Sequence, residues 1–412
     1  MAVKAVTRKQ WTFMVYLAGD NNLDGNGLTD LAEMKQVGST DDLNLIAQFD
    51  RAGSRRETKR FYLRKGTTLA KDAVAKLPEG NTGDPRALTD FITWGITHYP
   101  ALRYALILWN HGGGWDDTDV YADKRQRRIQ RAARGKIRHS LFLSNLRSAL
   151  RTAAAGAKPR AILYDDDAKD FLDNLELKRV LTAARKTAGR KIDILGMDAC
   201  LMSMAEVVCQ VRRDVHFTIG SEQTEPLDGW PYHKLLSALA RKPSTTAPSF
   251  ASLIVDRYIA SYPPAEPVTQ SACDLARSAV LMDTVSKLAG ALCDGMKKDA
   301  VRLAVMQARA RVQSYEVRDN IDLVDFCRLL MKDDAPGEEI RDACRKVMDA
   351  VCGPDGIVIR SARKGAAVKN SYGLAIYFPT LTPSSLYSKL DFSKKTGWDT
   401  FLKSYSKISR QR

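Results

Sequence analysis

The sequence predicts an α/β protein: a mainly parallel central sheet with helices on both faces, followed by a mixed helical and strand region. Two observations carry this. The runs WTFMVYLA (11–18) and RYALILW (103–109) are almost continuously apolar, without the polar alternation of a strand that has one face in water, so they read as strands buried on both faces. Segments with helical apolar spacing separate such runs through the first two thirds of the chain, which is the alternation that builds a parallel sheet.

In chain order, strand 11–18 is followed by helix 26–37, with Leu28, Leu31 and Met34 on one face, then by strand 43–50 and a short strand at 60–63. Helix 84–98 begins at Asp84 and Pro85, a start signal because an aspartate caps and a proline fits the first turn. After strand 103–109 come helices 141–154 and 176–188, the short buried strand 193–197, an amphipathic helix 201–212 and strand 216–220. Beyond Pro243 the texture changes. The Pro-rich stretch 262–267 reads as a turn or linker, and helices 278–298, 300–310, 321–332 and 338–351 follow, with short strands at 357–361 and 373–378. The predicted division is an α/β domain over 11–264, carrying a basic insertion at about 122–138, and an α/β region over 265–412 packed on it.

Composition excludes several classes. Of 412 residues, 44% are hydrophobic and 27% charged, which supplies a substantial core. No apolar run is long enough to span a bilayer. No apolar stretch precedes Trp11, so no signal peptide is read, which leaves the location open between the cytoplasm and export with a trimmed leader. The net charge of +16 concentrates at 51–65 and 124–138, without interleaved aromatics or a recognised motif, which argues against specific nucleic-acid binding. The seven cysteines are odd in number and form no CxxC pair, so neither a disulfide framework nor a zinc site is expected, and most read as small buried hydrophobes.

One cysteine differs. Cys200 ends the run GMDAC (196–200) after strand 193–197, and His111 opens the run HGGGW (111–115) after strand 103–109. Sites in an open parallel sheet form beyond the carboxyl ends of strands, so both residues are expected on one edge of the sheet. A helix starting near Leu201 would place Cys200 at a helix N-terminus, where the dipole and a nearby imidazolium lower a thiol pKa. The glycines after His111 let backbone N–H groups approach a substrate; Gly112 or Gly113, with the N–H of Cys200, could stabilise an oxyanion. A cysteine hydrolase with Cys200 as nucleophile and His111 as acid–base partner is the reading these residues support. An α/β-hydrolase also uses an HGGG loop, but it needs a GxSxG elbow, which this chain lacks.

HGGGW and GMDAC after two apolar strands resemble the signatures of clostripain-type cysteine peptidases, a group that includes caspases, legumains, gingipains and separase. Further similar segments are MVYLAGDNNL (14–23), SEQTEP (221–226) leading to GWPY (229–232), and YGLAIYFP (372–379), so the resemblance runs from about residue 11 to 379. The order His before Cys agrees with that group. The resemblance implies a caspase-like α/β/α sandwich and an endopeptidase that cuts peptides or proteins after exposed Arg or Lys. It assigns Asp198, two before the nucleophile, to the pocket for the basic side chain; the alternative is an N-cap for the helix expected at Leu201. Asp228, in LDGW, is the second pocket candidate, or a turn aspartate.

Relatives are matured by cutting between the histidine and the cysteine. The basic stretch offers Lys124, Arg125, Arg127, Arg128, Arg131, Arg134 and Lys136, with Lys169 less favoured, and the expected product is a self-cleaved two-chain form or else an uncut monomer. Asp20-Asn21-Asn22-Leu23-Asp24-Gly25 is similar to the start of a calcium loop, but Leu31 stands where the bidentate Glu would be. It reads as a turn, with Asp24 or Asn26 capping the next helix. No cofactor is required and no metal ligand is named; calcium as activator or stabiliser is the one ion the resemblance suggests. The rival to the peptidase is a caspase-like scaffold, inactive or of other specificity, acting as a binding protein.

Overall fold

The computed structural model describes residues 8–53, 56–116 and 162–409. Its strands are β1 (Lys9–Gly19), β2 (Leu43–Arg51), β3 (Thr58–Tyr62), β4 (Ala73–Leu77), β5 (Ala101–Trp109), β6 (Ile162–Asp165), β7 (Asp170–Leu172), β8 (Ile192–Asp198), β9 (Val215–Gly220), β10 (Val268–Asp274), β11 (Asn320–Asp322), β12 (Val358–Lys364) and β13 (Ala375–Tyr377). Nine of them form one sheet in the order β12-β10-β9-β8-β5-β1-β2-β3-β4. The five central strands β9, β8, β5, β1 and β2 run parallel, and antiparallel pairs close both edges.

The apolar runs have the expected cause. Along β1, Trp11, Phe13, Val15 and Leu17 enter one core while Met14, Tyr16 and Ala18 enter the other. The first core is covered by helices Asp24–Val37, Tyr232–Arg241 and Ala247–Ser261. The second takes helices Pro85–His98, Asn174–Ala188 and Ala205–Val211, and is continuous with the C-terminal helices Ser278–Gly295, Gly337–Cys352 and Trp398–Ser409. Asp84 caps helix Pro85–His98 through the Arg86 N–H, as its sequence predicts. Asp173 and Glu176 form a capping box on helix Asn174–Ala188, and Gly189 ends it in the left-handed region.

Several elements differ from expectation. The strand predicted at 60–63 is half of the hairpin β3–β4, and β6–β7 is a second hairpin that the sequence did not announce. Helices Tyr232–Arg241 and Ala247–Ser261 and strand β10 were also unread. β10 is polar where a central strand is usually apolar: Thr269 and Ser271 are buried on the hydroxyls of Ser221 and Ser203, and buried Gln270 donates to Glu225. Asp24 and Asn26 do not cap helix Asp24–Val37. Asp24 holds Arg51 with two hydrogen bonds of 2.7 Å, and Asn26 donates to the Leu227 carbonyl at 3.1 Å. Strands β10 and β12, from beyond residue 264, continue the sheet itself. The basic insertion 122–138, with its candidate cut sites, and the helix expected at 141–154 lie outside the described residues. Among the described residues no helix is long and apolar enough to cross a membrane.

Candidate active site

Strands β5 and β8 are parallel neighbours, and Trp109 pairs with Asp198 in their register. His111 and Cys200 each stand two residues beyond that pair, on the same rim. The junction is tight. Asn110 N–H donates to the Asp198 carbonyl at 3.3 Å, and the Asn110 side chain ties to the carbonyls of Ala18 and Tyr164. A Cβ added to Gly112 would stand 2.3 Å from the Cys200 carbonyl oxygen. Gly114, at φ +75°, packs as closely on the Met204 thioether. These two glycines are therefore demanded by close packing of the histidine loop on the cysteine loop. Gly113 is buried between them, and Gly112 also bridges to Ile162.

The environment of Cys200 departs from expectation. The helix begins at Ala205 rather than near Leu201, so Cys200 sits on a turn and not at a helix N-terminus. Residues 201–204 are drawn out by long-range bonds. Leu201, at φ +65°, donates its N–H to the Gln223 carbonyl; Ser203 bonds Ser271 and the Gly373 carbonyl; and Met204 bridges to Ala375. The thiol is 7% exposed, and its Sγ receives the Glu225 N–H at 3.3 Å and faces the Glu225 carbonyl at 3.9 Å. Burial, with the Glu225 and Asp198 carboxyls adding, pushes the thiol up to about 12 against the pull of the Glu225 N–H. Burial likewise pulls His111 down to about 4. The expectation of a lowered thiol pKa is corrected: the resting pair is a neutral thiol and a neutral imidazole. His111 Nε2 lies 2.9 Å from Asn22 Oδ1, and its ring meets Tyr164 edge-on at 6.3 Å between centroids.

Asp198 does not cap a helix, since it is the last residue of β8. Its carboxylate is 5% exposed and accepts the Tyr232 hydroxyl at 2.7 Å and the Trp230 N–H at 3.4 Å. Desolvation, together with the Glu33 charge, lifts it to about 6. Glu225 is buried beside it, accepts from Gln270 at 3.2 Å, and leaves its Oε2 without a hydrogen-bond partner. Burial, with repulsion from Asp198, holds Glu225 well above the usual carboxyl range. Asp228 is exposed on the rim of a groove lined by Asn26, Asp30, Glu33, Gly229 and Tyr262. Gly229 separates the two aspartates: a Cβ there would lie 3.2 Å from Asp198 Oδ1. Sequence reasoning missed Asn22, Asp30 and Glu225 as members of this neighbourhood, although two of them stand inside the motif segments 14–23 and 221–226.

The covering loop is fastened from the C-terminal side. Glu222 accepts the Tyr315 hydroxyl at 2.7 Å and the Gly373 N–H at 3.1 Å, and Ser221 meets Thr269 at 3.0 Å. Lys169 lies in the β6–β7 turn at φ +57°, with its ammonium on the Asp166 carbonyl. Among the described residues the seven cysteines are free thiols, four of them besides Cys200 buried.

The model of the clostripain family matches residues 15–156 and 139–405. A curated relative, clostripain from Hathewaya histolytica, is 31% identical over 225 residues, 49% of this chain and 36% of that protein, so the match spans about a third of the relative's length. In solved structures, a secreted C11 cysteine protease from Bacteroides thetaiotaomicron, in complex with an irreversible peptide inhibitor, superposes with a TM-score of 0.62 at 20% identity, covering 96% of this chain and 99% of that one. An inactive zymogen C11 protease from Parabacteroides distasonis gives 0.63 at 20% identity, covering 95% and 99%. These likenesses show the caspase-like α/β fold. With a family model matched across most of its length, and with His111 and Cys200 at neighbouring strand ends, this chain belongs to the clostripain family of cysteine proteases.

Proposed function

We propose that the protein is an endopeptidase cutting after Arg or Lys, with Cys200 as nucleophile and His111 as general base and then general acid. The observation that supports this most is the β5–β8 register, which sets His111 and Cys200 two residues past a paired Trp109 and Asp198. Because the resting pair is neutral, the thiol gives its proton to His111 as Sγ bonds the scissile carbonyl carbon. The N–H of Cys200, with Gly112 or Gly113, faces the oxyanion. His111 then protonates the leaving amine as the C–N bond breaks. A water, giving its proton to His111, attacks the thioester, and the departing sulfur recovers a proton.

Asp198 and, on the rim, Asp228 attract the guanidinium or ammonium of the substrate. A buried carboxylate gains most from such a charge-assisted pair. Self-cleavage in the basic stretch between Lys124 and Lys136 is part of the same reading. A cut at Lys169 would require the β6–β7 hairpin to open, which disfavours it. The contact of Sγ with the Glu225 main chain suits a resting form in which the loop must shift before attack.

The test is hydrolysis of peptide amides that differ only in carrying Arg, Lys, Asp or Asn before the scissile bond, with and without iodoacetamide. Cleavage of the Arg and Lys substrates alone, lost on alkylation, is expected. Equal cleavage of the Asp or Asn substrates, or activity that survives complete alkylation of Cys200, would end the proposal.

A further inference from the structure

The loop that covers Cys200 is anchored on a pair of buried carboxyl groups. Glu222 stands three residues before Glu225, and Asp322 is the last residue of β11. The two side chains are hydrogen-bonded to each other, which requires one of them to keep a proton.

The surrounding donors decide which one. Both oxygens of Asp322 accept a main-chain N–H, Oδ1 from Asp325 at 2.7 Å and Oδ2 from Tyr372 at 2.6 Å. The first of these bonds caps helix Leu323–Leu330, whose N-terminus also favours an anion. On Glu222, the Tyr315 hydroxyl at 2.7 Å and the Gly373 N–H at 3.1 Å both converge on Oε1, which leaves Oε2 to carry the proton onto Asp322. Burial, with the Asp322 charge, holds Glu222 well above the usual carboxyl range. Burial raises Asp322 as well, but only to about 6, because the Asp325 and Tyr372 N–H groups pull against it.

The pair joins distant parts of the chain. Glu222 lies on the loop after β9, whereas Tyr315, Asp322 and Gly373 come from the C-terminal region. Along the loop the contacts continue to the thiol. The Gln223 side chain accepts the Glu316 N–H at 3.0 Å, the Gln223 carbonyl accepts the Leu201 N–H at 3.2 Å, and the Glu225 N–H rests on Sγ at 3.3 Å. We propose that Glu222, a neutral acid bonded to ionised Asp322, is the positioning residue through which the C-terminal region sets the 221–226 loop over Cys200. The bearing on catalysis rests on the peptidase reading above; the position of the loop does not.

The assignment makes the two acids respond differently to the same change. In Glu222→Gln the amide oxygen still accepts from Tyr315 and Gly373, and the amide N–H donates to Asp322 as the acid proton does. In Asp322→Asn one acceptor oxygen becomes an NH2 group facing a main-chain N–H, and the bond to Glu222 is disturbed.

The experiment treats the full chain at pH 7 with iodoacetamide and follows Cys200 and the buried Cys209 by peptide mass spectrometry. E222Q should alkylate Cys200 within about twofold of the parent rate, and E222L and D322N at least about tenfold faster, since each leaves buried polar groups unmatched. Cys209 should stay protected throughout, which marks the change as local. Y315F removes a single hydroxyl, puts the fold least at stake, and should give a rise of about threefold or more. On an Arg substrate, kcat/KM should fall at least about tenfold in E222L and D322N and be restored in E222Q. Alkylation is read without turnover, so it stands whether or not the parent cleaves that substrate. Parent-like alkylation in both E222L and Y315F, or an E222Q protein that behaves like E222L, overturns the proposal. An unchanged kcat/KM in a variant whose Cys200 is unmasked overturns its bearing on catalysis.

Discussion

His111 Nε2 stands 2.9 Å from the Asn22 side-chain oxygen, a contact between the loops that follow β5 and β1. An amide oxygen accepts a hydrogen bond, so it selects the imidazole tautomer protonated at Nε2 and holds the ring in one orientation. Asn22→Ala removes that contact and leaves Cys200 and Asp198 unaltered. A fall in kcat of about tenfold to a hundredfold, with KM nearly unchanged, is expected. Steady-state kinetics on an Arg substrate decides it; an unchanged kcat would show that the contact does not orient the base.

Activity is expected to rise with pH through about 6, where Asp198 ionises, because His111 is already neutral above about 4. Replacing Glu225 with Leu removes a polar neighbour of Asp198 and leaves its charge less well solvated, so the acid limb of kcat/KM should move up by about one unit. A limb that stays in place would remove Glu225 from the pocket.

Stability carries the opposite signs of these two groups. Asp198 has a folded pKa above its ordinary 3.8, so the native state binds the extra proton, and stability present below 3.8 declines as pH rises through about 6. His111 has a folded pKa below its ordinary 6.5, so stability present above 6.5 is lost as pH falls through about 4. Asp198→Asn should therefore lose less Tm than the parent between pH 4.5 and 7.5, by roughly 2 °C or more, while ceasing to prefer basic substrates. Parallel Tm profiles for the two proteins would contradict this account.

Gly112→Ala places a methyl 2.3 Å from the Cys200 carbonyl oxygen, a backbone atom that cannot turn aside. Overpacking of this kind costs about 1–3 kcal/mol and here pushes the His111 loop away from the Cys200 loop. Activity should fall by at least tenfold with a lowered Tm. Full activity in a stable G112A protein would mean that the loops have more room than their packing shows.

For self-processing, the parent is expected to give two associated chains on a denaturing gel and Cys200→Ala a single chain. Replacing the seven basic residues from Lys124 to Lys136 by Gln should also leave one chain. A two-chain pattern in C200A assigns the cut to another protease.

Much of the site was legible because its signals are local. β1 and β5 announce burial on both faces through residues 11–18 and 103–109, and the two motif residues follow strands directly. The environment of the thiol was not legible. Residues 201–212 have an amphipathic pattern that extends the helix back to Leu201, but Ser203 and Met204 are claimed by Ser271, Gly373 and Ala375, and the helix starts four residues later. Strand β10 was missed for the same reason, since its polar residues look exposed until partners more than forty positions away are known.

The sequence by itself determined the sandwich, the rim that carries both His111 and Cys200, and the family, because apolar periodicity and strand-end motifs are properties of neighbouring residues. Tertiary structure alone decided that the thiol is neutral and covered by the Glu225 main chain, that Asn22 holds the imidazole, and that Asp198 shares its burial with Glu225. Those are balances of desolvation, charge and hydrogen bonding among segments far apart in the chain, and no single stretch of sequence contains both sides of them.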